Sequence, residues 1–154
     1  MTWFFEFISN PYLIIGISSW AVAQVVKTII YWAVNKKLDI WRLFGDGGMP
    51  SGHSATVASV ATTCAFFHGF GSFEFAISAI LAIIVCHDAS GVRQETGKQA
   101  VVIKEIATLI EKITDQKVSD EVKLKEFVGH TSLQVAVGAL LGIVNAVILC
   151  NFIF

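Results

Sequence analysis

Charged residues are scarce in this chain. Asp, Glu, Lys and Arg make up 15% of its 154 residues, and hydrophobic residues make up 55%. Soluble domains are usually about 25% charged and about 45–50% apolar. The composition therefore argues against an ordinary soluble domain and indicates a membrane protein. The net charge of −1 indicates no class of partner, and we expect no nucleic-acid partner.

Cysteines and targeting signals are also few. Cys64, Cys86 and Cys150 lie in apolar stretches without CxxC or Cys/His metal spacing, so we expect buried free thiols. The first six residues contain no basic residue, which argues against a secretory signal, and neither end carries a lipidation motif. Because repeats and low-complexity tracts are absent as well, we expect a single membrane domain over residues 1–154.

Four apolar segments predict helices that cross the bilayer. The first is uncharged from Phe7 to Val26, and its helical pattern continues past Lys27 to about Val34. About 20 apolar residues are enough to span the hydrocarbon core. The other three predicted spans are Pro50–Phe67, Phe73–His87 and Thr131–Phe154. The second is rich in small residues, which let membrane helices pack closely, and the second and third are expected to form a tight hairpin.

One further helix is predicted outside the bilayer core. From about Gly97 to Thr114, apolar residues recur at helical spacing, while Lys104, Glu105 and Lys112 occupy other faces. This pattern is typical of an amphipathic helix at the membrane surface. The predicted fold is therefore an all-α integral membrane bundle of about four transmembrane helices and one interfacial helix.

The distribution of positive charge predicts the orientation. The first loop carries three Lys/Arg residues and the third carries seven, whereas the turn between the second and third segments carries none. Under the positive-inside rule the first and third loops are cytoplasmic and both termini lie outside. We expect an integral protein of a bacterial cell membrane whose polar loops face the cytoplasm.

A glycine-rich loop leads into the second segment with the sequence Gly47-Gly48-Met49-Pro50-Ser51-Gly52-His53-Ser54. Pro is favoured at the first position of a helix, and Ser can cap the free N–H groups there. Such a helix start binds anions through its N–H donors. His53 adds a group that can transfer a proton near neutral pH. We therefore expect this loop to hold a phosphate.

Further polar residues are predicted to meet this loop at the cytoplasmic face. His130 and Gln134 are four residues apart, so the Gln134 carbonyl can accept from one imidazole nitrogen and leave the other for nucleophilic attack. Arg93 suits bidentate binding of phosphate. Three simpler interpretations stay open: a polar helix cap at His130, ordinary interfacial charges at Asp88 and Arg93, and a Lys27 that extends to the interface.

The chain resembles the divergent branch of the type 2 phosphatidic acid phosphatase superfamily, which is related to acid phosphatases and vanadium-dependent haloperoxidases. The resemblance covers nearly the whole chain and depends on three ordered motifs. These are the loop from Gly47 to Ala55, the stretch Asp88-Ala89-Ser90-Gly91-Val92-Arg93 with Gly97-Lys98-Gln99-Ala100, and Gly129-His130-Thr131 leading to Gly138-Ala139-Leu140-Leu141-Gly142.

The resemblance implies a role for individual residues. His130 would attack phosphorus and form a phosphohistidine, and His53 would protonate the leaving oxygen as general acid. The implied phosphate ligands are Lys27, Ser51 and Gly52. No metal and no cofactor is implied, since positioning and charge neutralisation do most of the work in phosphoryl transfer.

This sequence departs from the superfamily pattern in its third motif. The superfamily has an Arg six residues before the histidine and an Asp four residues after it, where this chain has Leu124 and Gln134. Arg42 is a loose candidate for the Arg of the first motif. We expect Arg93 to replace the missing guanidinium and Asp88 the missing carboxylate.

The favoured function is a membrane phosphatase that acts on a lipid phosphate or pyrophosphate at the cytoplasmic leaflet. A non-catalytic module that binds a phosphorylated lipid or another anion is the alternative. A small transporter subunit or assembly partner is a third possibility, since helices with small-residue faces could form a homo-oligomer. The fourth is a metal site, and its ligands would be His53, His87, Asp88 and His130, although no local ligand spacing supports it.

Overall fold

The protein is an all-α bundle, as predicted. The computed structural model describes residues 2–36, 48–114 and 130–154, and gives the backbone alone at 92–94 and 114. The described helices are α1 (Thr2–Ile8), α2 (Pro11–Asn35), α3 (Gly52–His68), α4 (Phe73–Ser90), α5 (Val92–Thr114) and α6 (Ser132–Phe152).

Three helical stretches among the described residues are long and apolar enough to cross a membrane. They are Thr2–Asn35, Phe73–Ile113 and Ser132–Phe152. The first two contain the first and third predicted spans, and the last covers all but three terminal residues of the fourth. The second predicted span is α3, which has 17 residues. It lies between α2, α4 and α6, in contact with all three. The chain is therefore an integral membrane protein built as a helical bundle.

The helix boundaries differ from the predicted ones where local capping overrides the apolar pattern. The first span was expected to begin at Phe7, but α2 begins at Pro11 after Asn10, whose Oδ1 accepts from the N–H groups of Tyr12 and Leu13 at 2.9 and 3.3 Å. Asn at the N-cap followed by Pro is a strong helix start. The preceding residues form the separate short helix α1.

The core of the bundle is a contact between small residues of α3 and α6. Ser51, Ala55, Ser59 and Thr63 recur every four residues and are fully buried. Gly138 and Gly142 face this stripe, and a Cβ atom at either glycine would overlap the carbonyl oxygen of Ser51 or Ala55. The two backbones therefore approach as closely as glycine permits, which is how small-residue motifs hold membrane helices together.

Polar contacts inside the bundle join α2 to α6. The Nδ2 atom of Asn145 donates to the hydroxyl oxygens of Ser18 and Ser19 at 3.1 and 2.8 Å. Ser19 is fully buried, and no water is available in the membrane interior to bond its hydroxyl. The contact with Asn145 therefore supplies the hydrogen bond that this group needs. At the far end of the bundle, the Tyr12 hydroxyl and the His68 Nε2 atom form a hydrogen bond.

Helix α5 contacts only α4 among the described helices. It begins at Val92, five residues before the predicted start at Gly97, and ends at Thr114 as predicted. Its apolar residues, including Ile106, Leu109 and Ile113, are exposed in the isolated chain. This agrees with the predicted amphipathic character of the segment.

Candidate functional site

The start of α3 exposes backbone donors at one end of the bundle. Ser51 is the N-cap, and its Oγ accepts from the N–H and the hydroxyl of Ser54 at 3.4 and 3.0 Å. Pro50 was expected to occupy the first helical position, but this is wrong, because Pro50 lies before the cap. Ser51 is the N-cap, and Gly52 is the first residue of the helix. The N–H groups of Gly52 and His53 have no acceptor within their own helix. Gly47 lies outside the described residues.

The start of α6 fixes the ring of His130. The Gln134 Oε1 atom lies 3.2 Å from His130 Nδ1 and accepts from the Thr131 N–H at 3.2 Å. The Thr131 N–H requires an acceptor, so it determines which end of the amide is oxygen. Because this oxygen can only accept, Nδ1 of the neutral ring carries the proton and Nε2 carries the lone pair. This is the arrangement expected from the four-residue spacing.

Two backbone hydrogen bonds bring three segments together at this end of the bundle. The Ser51 N–H donates to the Gln134 carbonyl at 3.0 Å, and the His130 N–H donates to the Ala89 carbonyl at 3.0 Å. The starts of α3 and α6 and the end of α4 are therefore neighbours. Segments separated by tens of residues in sequence thus form one polar cluster.

Burial divides the cluster into an inner and an outer part. Ser51 and Gly52 are buried, and His130 is 5% exposed. Asp88 is half-buried, whereas His53 is exposed in the first turn of α3. Asp88 was expected to follow its helix, but it lies within the last turn of α4, because the helical hydrogen bonds continue to Ser90.

Lys27 is a buried cation on α2. Its side chain is 3% exposed within the protein, so it does not simply extend to the membrane interface. It lines a cavity of about 180 Å³ with Tyr31, Gly48 and Met49. Gly48 and Met49 lead directly into Pro50 and Ser51. This cavity therefore joins α2 to the loop that begins α3.

Some predicted site residues lie outside this description. Arg42, Leu124 and Gly129 are not among the described residues. Arg93 belongs to the first turn of α5, where only its backbone is described. His87 is exposed on α4.

The alternative metal site has no geometric support. Within residues 2–36, 48–114 and 130–154, no group of three His, Cys, Asp or Glu side chains could hold a metal ion. The four residues that the alternative required, namely His53, His87, Asp88 and His130, therefore form no such group.

Gln24 is a polar residue of the cluster that sequence reasoning missed. It is 7% exposed on α2, and its Oε1 atom has no hydrogen-bond partner in the described part of the chain. Its Nε2 atom lies 3.6 Å from the position that a Cβ atom would take on Gly52. The available signal was its spacing: Gln24 precedes Lys27 by three residues and therefore shares its face of the helix.

Comparisons with known proteins identify related sequences. Residues 8–145 match a family described as the Divergent PAP2 family. The chain is also 36% identical to the uncharacterized membrane protein YuiD of Bacillus subtilis, over 96% of this chain and 98% of that protein. No solved structure matches the chain significantly.

Proposed function

The chain belongs to the divergent PAP2 family, and from this premise we propose that it is a membrane phosphatase. Its substrate is a lipid phosphate or pyrophosphate, which it hydrolyses through a histidine nucleophile. The observation that supports the proposal is the His130–Gln134 contact, because an amide oxygen at Nδ1 leaves the lone pair of the neutral ring on Nε2. The start of α6, which carries this pair, is hydrogen-bonded to the start of α3 through Ser51 N–H and the Gln134 carbonyl.

The proposed reaction has two steps. In the first, His130 Nε2 forms a bond to phosphorus as the bond from phosphorus to the leaving oxygen breaks, and His53 gives a proton to that oxygen. In the second, a water molecule attacks the phosphohistidine, His53 takes a proton from it, and the N–P bond breaks to release phosphate. The exposure of His53 suits a residue that meets both leaving group and water.

Lys27 and the start of α3 bind the phosphoryl group. The N–H groups of Gly52 and His53 are donors without an acceptor in their helix, and Ser51 orders this turn. Buried donors that are already in place stabilise charge that develops in the transition state, because no reorganisation is needed. The proposal requires neither a metal nor a cofactor.

Asp88 and Arg93 have an auxiliary role in this proposal. Gln134 orients the His130 ring, but a neutral amide does not balance the positive charge of an imidazolium. Asp88 directly precedes Ala89, whose carbonyl accepts from the His130 N–H, so it is the nearest candidate carboxylate in sequence to that contact. We assign Arg93 to the phosphoryl oxygens and Arg42 to a supporting position in the first loop.

The proposed site faces the cytoplasm, and both termini lie outside. The charge bias of the first and third loops supports this orientation. A cysteine introduced at Lys37, in a variant whose three native cysteines are replaced by Ala, tests it. We expect a membrane-impermeant thiol reagent to label this cysteine only after the cells are opened. Labelling in intact cells would reverse the orientation.

Phosphate release tests the activity. Purified protein in detergent is assayed with a panel of phosphatidic acid, lysophosphatidic acid and prenyl pyrophosphates, with and without vanadate. We expect vanadate to inhibit turnover, and His130→Ala to reduce it roughly a thousandfold or more, as loss of a nucleophile does. His87→Ala is the matched control, since this histidine is exposed on α4 and has no part in the reaction.

A second candidate function is a module that binds a phosphorylated lipid without turnover. Gln134 favours the binding module, because the superfamily has an Asp at this position and a neutral amide does not balance the charge of a reacting imidazole. Equilibrium binding separates the two. Tight binding of a lipid phosphate with no release of phosphate from any member of the panel would support the binding module.

A further inference from the structure

Gln24 combines burial with an unmatched polar group. Its side chain is 7% exposed, and Oε1 has no hydrogen-bond partner in the described part of the chain. Its backbone carbonyl has a partner, since it accepts a hydrogen bond from the Thr28 hydroxyl at 2.9 Å. The unmatched atom is therefore the side-chain oxygen, Oε1.

The fold offers no structural reason for this amide. An amide that is buried without a partner destabilises the protein, because its hydrogen bonds to water are lost and not replaced. Asn145 provides a contrast: its Nδ2 atom donates to both Ser18 and Ser19. Asn145 joins two helices, whereas the described part of the chain offers no partner for the buried Gln24 oxygen.

The Gln24 amide is directed at the start of α3. Its Nε2 atom lies 3.6 Å from the Cβ position of Gly52, the first residue of that helix. Gly52 carries no side chain, and the Trp20 ring and the Gln24 amide both pack against the position that a Cβ atom would take, with Trp20 Cδ1 at 3.2 Å. Lys27 follows three residues later on the same face of α2, about 4.5 Å further along the axis at a rise of about 1.5 Å per residue.

We propose that Gln24 is a substrate-binding residue of this site. Its Nε2 atom donates to a phosphoryl oxygen beside the N–H groups of Gly52 and His53, and Oε1 accepts from a hydroxyl group of the ligand. This inference depends on the proposed function of the site as a phosphate site.

The unmatched acceptor narrows the class of ligand. A fully ionised phosphate has only acceptors and leaves Oε1 unmatched. A ligand with a hydroxyl group near its anionic oxygens, either the P–OH of a phosphate monoester or a hydroxyl on its alcohol part, supplies the donor that Oε1 lacks. A phosphodiester without another hydroxyl supplies none, so the site favours monoesters.

Two variants of the full-length protein in detergent test this role. Gln24→Met keeps the length of the side chain and removes both polar ends, while Gln24→Glu keeps an acceptor and adds a negative charge. The controls are Gln99→Met, at an exposed position on α5, and Asn145→Leu, which removes a partnered amide. Isothermal titration calorimetry gives the Kd, and thermal unfolding gives the Tm.

The probes are inorganic phosphate, methyl phosphate, glycerol 3-phosphate and dimethyl phosphate. We expect Gln24→Met to weaken monoester binding about tenfold to a hundredfold, because both hydrogen bonds from this side chain to the ligand are lost, and Gln24→Glu to weaken it through repulsion of the phosphate. Dimethyl phosphate should bind more weakly than methyl phosphate to the wild type. Gln24→Met should also raise the Tm of the ligand-free protein, since it removes an unmatched buried amide, whereas Asn145→Leu should lower the Tm and leave the Kd unchanged.

The probes also identify the hydroxyl. If Gln24→Met weakens the binding of methyl phosphate and glycerol 3-phosphate equally, the hydroxyl is the P–OH. If it weakens only the binding of glycerol 3-phosphate, the hydroxyl is on the alcohol part. An unchanged Kd for every probe, or a lowered Tm with unchanged Kd, would overturn the inference and leave Gln24 a structural residue. Failure of the proposed catalysis gives a different result. The wild type then binds the probes more tightly than Gln24→Met does, but it releases no phosphate from lipids.

Discussion

The backbone N–H of His130 donates to the carbonyl oxygen of Ala89 at 3.0 Å. This hydrogen bond fixes the entry to α6 against the last turn of α4. It also means that the position of the proposed nucleophile depends on where α4 ends. The helix extends through Asp88 to Ser90, so a change in its last turn is transmitted directly to His130.

Gln134 is expected to matter through the orientation of His130. Gln134→Leu removes the acceptor that holds Nδ1, so we expect the rate of phosphate release to fall about tenfold to a hundredfold, with a smaller change in KM. Gln134→Asp should keep the orientation and add a charge that balances the imidazolium, and so retain or raise the rate. Steady-state kinetics on a lipid phosphate measures both. A Gln134→Leu enzyme with wild-type kcat would contradict the role.

Asp88 and Arg93 are expected to compensate for the altered third motif. Asp88→Asn and Arg93→Ala should each lower phosphate release, by about tenfold or more for a charged contact. If Asp88 supplies the missing carboxylate, adding Gln134→Asp to Asp88→Asn should restore part of the rate. Glu95→Gln is the matched control for loss of a nearby exposed acid. Unchanged rates in both single variants would end the compensation hypothesis.

Lys27 is expected to bind the substrate phosphate. Lys27→Met removes a buried cation and should raise KM and lower kcat/KM about a hundredfold, whereas Lys27→Arg should retain part of the activity because the charge remains. Lys36→Met is the control, since this residue is exposed at the end of α2. Equal effects of Lys27→Met and Lys36→Met would argue for a general effect of positive charge near the membrane.

Gly142 is expected to set the distance between α3 and α6. A Cβ atom there would overlap the Ala55 carbonyl, so Gly142→Ala should force the helices apart and destabilise the bundle by about 1–3 kcal/mol. Gly71→Ala is the control, because nothing lies within 4 Å of its Cβ position. Thermal unfolding in detergent, followed by size-exclusion chromatography, measures the difference. A Gly142→Ala protein as stable as Gly71→Ala would contradict the close contact.

Asn145 is expected to stabilise the pairing of α2 with α6. Asn145→Leu removes both hydrogen bonds to Ser18 and Ser19, and polar contacts of this kind in membrane bundles contribute roughly 0.6–1.7 kcal/mol. Asn151→Leu is the matched control, since its Nδ2 atom donates only to a carbonyl of its own helix at 2.7 Å. Comparable losses in the two variants would show that the interhelical contact adds nothing.

Local spacing predicted the parts of the site that depend on one helix. The contact between His130 and Gln134 follows from their separation of four residues, and the capping by Ser51 follows from its place before an apolar segment. The uncharged runs predicted the helices themselves. The glycines at 138 and 142 were visible as part of a motif, but the partner they face on α3 depends on how the helices assemble.

Hydropathy did not locate the helix ends or Gln24. The uncharged run continues on both sides of Asn10, so hydropathy does not mark the start of α2. That start depends on the Asn10 cap and Pro11. The third span was predicted to end before the charge of Asp88, whereas the hydrogen bonds of α4 continue to Ser90. Gln24 carries no charge and lies inside a long apolar run. Its spacing from Lys27 was visible in the sequence, but its burial and its unmatched oxygen are properties of the assembled bundle.

The end of α4 beside His130 has an electrostatic consequence. The last carbonyl groups of a helix carry a partial negative charge, equivalent to roughly half an electron charge for the whole helix, and a histidine cation at such a terminus is stabilised by up to about 2 kcal/mol. In the proposed reaction, the residue on which positive charge grows is therefore held, through its backbone N–H, at the negative end of α4. These carbonyl groups have no proton to lose or gain, so their partial charge persists at any pH that the fold survives.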